Sequence, residues 1–305
     1  MLELRVIGRG ALAGLIAGIL GFVFARIFAE PVINTAIDYE SGRDEVLDAL
    51  NQAAGRATEA EGSEIFSRSI QSTVGIATGI IGFSVAMGAL IAVAYLVLMG
   101  RTGLRAQYLS WLIAGFGFLG IYLLPFVKYP ANPPAIGHDF TIATRGQLYL
   151  AMVTISLILL GLAVYVAHML HSRIGTYRAV LVAGAGFLVL FGIALAAMPS
   201  LGDLQANVDH AGEFGFARAS TETPQPITNI LDKPLTIDGK TYAPGQIAYP
   251  GFDADVLWKF RWYSLLNQAL IWLVIGMVFG ALMNRMMPSD DARPSEDRRD
   301  TLVTR

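Results

Sequence analysis

Apolar residues along this chain gather into six long blocks. Residues 10–29, 73–99, 107–127, 148–170, 179–198 and 262–284 hold one Asp, Glu, Lys or Arg between them, Arg26. A helix needs about 20 mostly apolar residues to cross a hydrocarbon core of about 30 Å, and each block reaches that length. The pattern predicts an all-α integral membrane protein, a six-helix transmembrane bundle. Two sizeable external loops, 30–72 and 199–261, interrupt it, and the second contains a short β-hairpin. Residues 1–287 then form one polytopic membrane domain, and 288–305 a polar, Pro-containing tail expected to be disordered.

Between the blocks, local patterns add detail. Val46, Leu47, Leu50 and Ala54 recur at helical spacing, which predicts a short amphipathic helix lying on the membrane surface. Leu235-Thr236-Ile237 and Lys240-Thr241-Tyr242 flank Asp238-Gly239, the signal of a hairpin closed by a type I′ turn. Gly10, Gly14 and Gly18 share one helix face, as do Gly75 with Gly79 and Gly276 with Gly280. Small residues at that spacing let helix backbones approach closely in lipid, where no hydrophobic force draws helices together.

Composition agrees with a membrane protein. Charged residues are 15% of the chain, against about 25% in soluble domains. Orientation follows from Lys and Arg at the ends of the blocks. The short connections 100–106 and 171–178 carry Arg101, Arg105, Arg173 and Arg178 and no acid, which places them and both termini in the cytoplasm. The apolar run behind Arg5 and Arg9 is too long for a signal peptide, and the segment Arg26 to Pro31 is a poor cleavage site. The first helix is therefore expected to stay uncleaved.

Several kinds of chemistry drop out. There is no cysteine, hence no disulfide, thiolate metal site or cysteine nucleophile. Pro234 to Thr241 ends like a phosphate-binding loop, but a proline replaces its first glycine and a hairpin follows. No nucleotide site and no nucleic-acid partner are expected. No G-x-S-x-G serine motif and no Asp pair within a span suggests catalysis.

The polar residues that remain each admit two readings. Arg26 and Glu30 lie one turn apart at the end of the first block, as an interfacial ion pair or as a carboxylate facing a pathway. The segment Leu124 to Pro134 holds four prolines, so the third helix is expected to stop there and leave extended. It is either a rigid loop or a mouth with exposed carbonyls, with Lys128 and Asn132 as the groups to test. His138-Asp139 and Asp209-His210 pair imidazole with carboxylate, a combination that suits a first-row divalent metal and equally a solvated loop. His168 and His171 share a helix face without an added carboxylate, which favours a metal-free pair at the interface. Glu30, Glu40, His138, Asp139, Asp209 and His210 are the candidate metal ligands.

Three segments together carry a resemblance. Phe24-Ala25-Arg26-Ile27-Phe28-Ala29-Glu30-Pro31, the run Leu124-Pro125-Phe126-Val127-Lys128-Tyr129-Pro130-Ala131-Asn132-Pro133-Pro134-Ala135, and Gly251-Phe252 followed by Leu257-Trp258-Lys259-Phe260-Arg261 resemble the predicted cobalt transporter subunit family CbtA. The resemblance implies a multi-pass protein of the inner membrane serving Co²⁺ uptake linked to cobalamin metabolism. It further implies a small single-span partner, CbtB-like, with a histidine-rich end, and no tightly bound cofactor. The family positions with a chemical role map onto Arg26, Glu30, Lys128, Asn132, Arg145 and Arg261, as a transport pathway or gate. Two rival readings are an accessory or assembly subunit that moves nothing, and a lipid-modifying membrane enzyme working through the external loops.

Overall fold

Proline shapes the long helices without ending them. The computed structural model describes residues 1–56, 67–211 and 221–287; the tail expected to be disordered lies outside these. Helix α1 (Leu2–Phe24) runs through a π-helical turn (Ala25–Ala29) into α2 (Glu30–Ala53) without a break. The N–H of Glu30 bonds to the carbonyl of Ala25, five residues back, and Pro31 follows at once. That wider turn draws the backbone clear of the ring, which in a regular α-helix would clash with the carbonyl four residues back.

The same device recurs in the third long helix. There α5 (Ala106–Gly117) passes through a π-helical turn (Phe118–Leu123) into α6 (Leu124–Lys128), the N–H of Leu124 bonds to Leu119, and Pro125 comes next. Pro125 has no N–H for the carbonyl of Ile121, and the Tyr149 hydroxyl donates to that oxygen at 3.2 Å. The third helix stops within the proline segment, as expected: it passes Pro125, which lies inside the predicted block 107–127, ends at Lys128, and leaves Pro130, Pro133 and Pro134 beyond it.

Between these two helices, α3 (Arg68–Ile70), a π-helical turn (Gln71–Gly75) and α4 (Ile76–Leu98) form the second long helix. A 3-10 turn (Asp139–Thr141) leads into α7 (Ile142–Ile174), and Gly175 at φ +81° joins it to α8 (Thr176–Ala197). The short α9 (Gln205–Asp209) and four short strands precede α10 (Ala254–Met286). Among the described residues six helices are long and apolar enough to cross a membrane, so the chain is a multi-pass membrane protein with a six-helix bundle. Its outward face is apolar: Val180, Leu181, Leu188, Val189 and Ile193 of α8 are all exposed, as lipid-facing side chains must be.

The chain divides into two compact units. The first comprises Met1–Leu20, Ala77–Gly115 and the chain from Leu270 on. Here the glycine stripe of α1 meets α4 backbone to backbone. A Cβ at Gly10 would sit 2.3 Å from the Gly88 carbonyl oxygen, and one at Gly14 would sit 2.1 Å from that of Ser84. Gly276 faces the Ala114 methyl and Gly280 the Trp111 indole. Gly79 faces open space, so the Gly75/Gly79 pair is not the packing stripe that its spacing predicts. Buried Ser84 and Ser110 donate to carbonyls of their own helices, Ile80 and Ala106, which satisfies them without a ligand.

The second unit comprises Gly21–Ile76 and Phe116–Ala269. Strand β1 (Ile227–Thr228) pairs with β4 (Ile247–Tyr249), and β2 (Leu235–Ile237) with β3 (Lys240–Tyr242), both antiparallel. Asp238 and Gly239 have φ of 48° and 76°, the paired positive values a type I′ turn requires. Val46 and Leu50 of α2 are buried against Ile227, Leu235, Tyr242 and Ala248. The apolar stripe expected to lie on a membrane surface therefore packs on the strands instead. It belongs to the far end of a continuous 52-residue helix. Reciprocal bonds hold this arrangement: the Tyr39 hydroxyl donates to Pro250 at 2.9 Å, and the Tyr249 hydroxyl to Tyr39 at 3.1 Å.

Candidate functional site

The candidate residues of the second unit fall into three groups. The first surrounds Glu30, the residue that closes the π-helical turn and opens α2. Its carboxylate is 2% exposed, and Oε1 accepts from Arg68 Nη2 at 2.6 Å. Arg26 Nη1 stands 3.9 Å from the same oxygen, a looser pair from a side chain about half exposed. Arg68 also donates to Asn34 Oδ1 at 2.8 Å. Oε2 of Glu30 is buried without a hydrogen-bond donor among the described residues. An unsatisfied carboxylate oxygen is costly to bury and free to accept a cation.

The second group centres on the proline segment. Lys128, the last residue of α6, donates from Nζ to the carbonyl of Leu195 at 2.9 Å. Leu195 lies in the last turn of α8, where carbonyls lack intrahelical donors and a cation complements the helix dipole. Tyr129 donates to Pro199 at 2.8 Å. Arg261 on α10 donates from Nη2 to Asn132 Oδ1 at 2.9 Å, which fixes the amide of the proline segment. Lys128, Asn132, Ser200, Glu222, Thr223 and Arg261 line a cavity of about 220 Å³. A neighbouring cavity of about 320 Å³ shares Pro130, Asn132 and Leu201 with it and is walled by Tyr122, Phe126, Tyr129 and Tyr149, with Arg145 at its edge.

The third group is built on Glu222, which is buried. Its Oε1 accepts from Thr141 Oγ1 at 2.7 Å and from the His138 backbone N–H at 3.2 Å, and lies 3.1 Å from Arg145 Nε. Its Oε2 accepts from Asn207 Nδ2 at 2.9 Å. The His138 ring, within 3.0 Å of the Thr221 carbonyl through Nε2, is held below the usual histidine range by burial, with the Glu222 charge and the Thr221 bond opposing. His138 and His210 both stack on the Phe140 ring, with centroids at 5.1 Å and 4.0 Å.

The structure thus places the six residues expected to form a pathway or gate around three centres: Arg26 and Glu30 together, Lys128 with Asn132 and Arg261, and Arg145 on Glu222. The candidate metal ligands come together only in part: His138 and His210 both stack on Phe140, and Asp139 is near enough to Glu40 for its charge to act there. His210 Nδ1–H donates to its own helix at Ala206, and Asp209 accepts from Gln205. Among the described residues no group of three or more His, Asp or Glu side chains is arranged to hold a metal ion. Glu40 lies eleven residues past the first apolar block. Its pKa is pushed up to about 7 by burial and by the charges of Asp44 and Asp139, against Arg43.

Sequence reasoning missed Glu222, Arg68 and Asn207. Glu222 stands in an acidic loop whose other carboxylates have the same local pattern, so only tertiary contact marks it. Arg68 had a faint signal, a base just ahead of an apolar block. Asn267 and Gln268 interrupt the last block, and each keeps a buried side-chain oxygen without a donor among the described residues.

Residues 3–284, nearly the whole chain and every side chain of these three groups, match the family described as "Probable cobalt transporter subunit (CbtA)". The chain belongs to the CbtA family. Neither a curated protein nor a solved structure matches it. Among the described residues the geometry offers this CbtA-family chain buried oxygens and a cavity lined by Lys128 and Arg261, with no preformed group of three metal ligands.

Proposed function

We propose that this chain is the membrane pathway of a Co²⁺ uptake system linked to cobalamin metabolism. It sits in the inner membrane with both termini cytoplasmic, and works with a small single-span subunit whose histidine-rich end captures the metal. The observation that carries this reading is the family match over residues 3–284. Scarcity of ligands supports the division of labour: with capture left to the partner, this chain needs only a path along which Co²⁺ exchanges its water for weak oxygen donors. Glu30, with one oxygen held by Arg68 and the other lacking a donor, is the carboxylate of that path. Glu40 lies farther along the same helix. Arg26, Lys128, Arg145 and Arg261 act as gate charges, since a cation cannot ligate Co²⁺, and Asn132 is the neutral group they position. The work is transport without catalysis, and Co²⁺ is cargo.

The test is cellular metal content by mass spectrometry, with and without the histidine-rich subunit, at limiting and excess cobalt. A selective, partner-dependent rise in cobalt that Glu30→Gln reduces is the expected result. No change in any divalent metal, with both proteins in the membrane, overturns the uptake reading.

The lack of a metal-ligand cluster among the described residues favours one rival, an accessory subunit that moves nothing. That reading requires uptake to be unchanged by Glu30→Gln and Asn132→Ala while partner association persists.

A further inference from the structure

The cavity beside the proline segment is lined by the wrong charge for a cobalt ion. Lys128 and Arg261 both line it, and among the described residues their partners are neutral: the Leu195 carbonyl and the Tyr129 ring for Lys128, the Asn132 amide oxygen for Arg261. Among the described residues no carboxylate pairs with either one. Glu222 also lines the cavity, but Arg145 offsets its charge, and hydrogen bonds from Thr141, His138 and Asn207 occupy both its oxygens. Nε of Arg261 is buried with no acceptor among the described residues. Two half-buried cations and an unused N–H around one cavity are costly unless an anion completes them.

The chemistry of the lining narrows the anion. A guanidinium, an ammonium, a side-chain amide and the hydroxyls of Ser200 and Thr223 are all donors able to reach a tetrahedral oxyanion. Lys128 and Arg261 each stand one residue outside an apolar block, after 107–127 and before 262–284. Basic residues at such block ends lie at the level where phospholipid phosphates sit. The aromatic-walled cavity shares Pro130, Asn132 and Leu201 with this one, which leaves room for an apolar part of the same ligand.

We propose that Lys128, Asn132 and Arg261 form a binding site for a phosphate-bearing anion, either the head group of an anionic phospholipid or free inorganic phosphate. The site goes beyond the cobalt reading and does not depend on it, because binding is measured with no metal present.

The test is titration of the purified full chain in a neutral detergent with inorganic phosphate and, separately, with a short-chain phosphatidylglycerol, followed by the ³¹P resonance of the probe and by tryptophan-fluorescence melting. Saturable binding of phosphate identifies the free anion, and saturable binding of phosphatidylglycerol alone identifies a lipid head group. In either case Lys128→Gln and Arg261→Gln are expected to weaken binding by at least about tenfold, the loss of one charge-assisted hydrogen bond. Arg261→Lys and Lys128→Arg keep the charge, alter the donor geometry, and are expected to fold and bind a few-fold more weakly. Arg178→Gln, at an exposed position on α8, is expected to bind as the wild type does. Saturable binding of neither probe by the wild-type chain overturns the proposal, whatever the variants do. So does unchanged affinity in every folded variant of Lys128 and Arg261.

Discussion

Arg68 reaches the Glu30 carboxylate at 2.6 Å from another helix, whereas Arg26, one turn away on the same helix, stands at 3.9 Å from the same oxygen. The distant residue in sequence is thus the principal counter-charge, and the adjacent one is secondary. Removing Arg68 leaves a buried carboxylate with only that looser neighbour. Arg68→Ala is expected to destabilise the chain by about 1–3 kcal/mol, below the cost of breaking a fully buried pair because Arg68 itself is a third exposed. Arg26→Ala is expected to cost less than about 1 kcal/mol, as exposed pairs do. Thermal unfolding in one detergent measures both, and equal losses would show that Arg26 carries the pair after all.

The glycine stripe gives a second contrast. A methyl at Gly14 would meet the Ser84 carbonyl oxygen at 2.1 Å, where the neighbour is backbone and cannot turn aside, whereas a methyl at Gly79 would meet nothing. Gly14→Ala is therefore expected to destabilise by about 1–3 kcal/mol through forced separation of the helices. Gly79→Ala is expected to be neutral or stabilising by up to about 1 kcal/mol, the helix-propensity gain. Melting temperatures of the two variants side by side check this, and a loss at Gly79 equal to that at Gly14 would sink the assigned interface.

These contrasts mark what the sequence could reveal. The six apolar blocks predict the six long helices, and Asp238-Gly239 predicts its hairpin, because hydropathy over about 20 residues and turn chemistry are local properties. The placement of Lys128, Asn132 and Arg261 around one cavity was half legible: the segment was singled out, but its 2.9 Å bond to Arg261 depends on a helix more than a hundred residues away. Helix continuity through Pro31 was not legible. A π-helical turn leaves no compositional trace, and reading proline as a stop is right for a regular α-helix. Nor was the role of Val46 and Leu50, since an apolar stripe fits a membrane surface and a strand pair equally well. Burial against β1 to β4 decides between them only in three dimensions.

Glu40 ties stability to pH. Its folded pKa, about 7, lies above the ordinary 4.5 because burial and then Asp44 and Asp139 disfavour its charge, with Arg43 opposing. The folded chain therefore holds this proton more tightly than the unfolded chain does. Its contribution is full below about 4.5 and is lost as pH rises through about 7. Glu40→Gln is expected to flatten the fall in melting temperature between about pH 5 and 7. An unchanged slope in the variant would assign the dependence elsewhere. The same shift makes Glu40 a poorer metal ligand at pH 6 than at pH 8, so any cobalt uptake that uses it should rise across that interval.

Glu222 separates structural from binding effects within one cavity. Thr141, His138 and Asn207 donate to its two oxygens, and Arg145 lies against it at 3.1 Å. Glu222→Ala removes an acceptor from all of them at once and is expected to cost about 3–5 kcal/mol. Glu222→Gln keeps a carbonyl for part of the set but leaves Arg145 without its counter-charge, for a loss of about 1–3 kcal/mol. The same substitution takes away the one carboxylate that, among the described residues, lines the cavity Lys128 and Arg261 also line. A Glu222→Gln chain should thus melt at a lower temperature than the wild type and yet bind phosphate or phosphatidylglycerol more tightly. Melting and ³¹P titration of one preparation read both effects, and their opposite signs are the expectation. Affinity that falls together with stability would mean that the cavity collapses when Glu222 is neutral, and that its shape rather than its charge governs what enters.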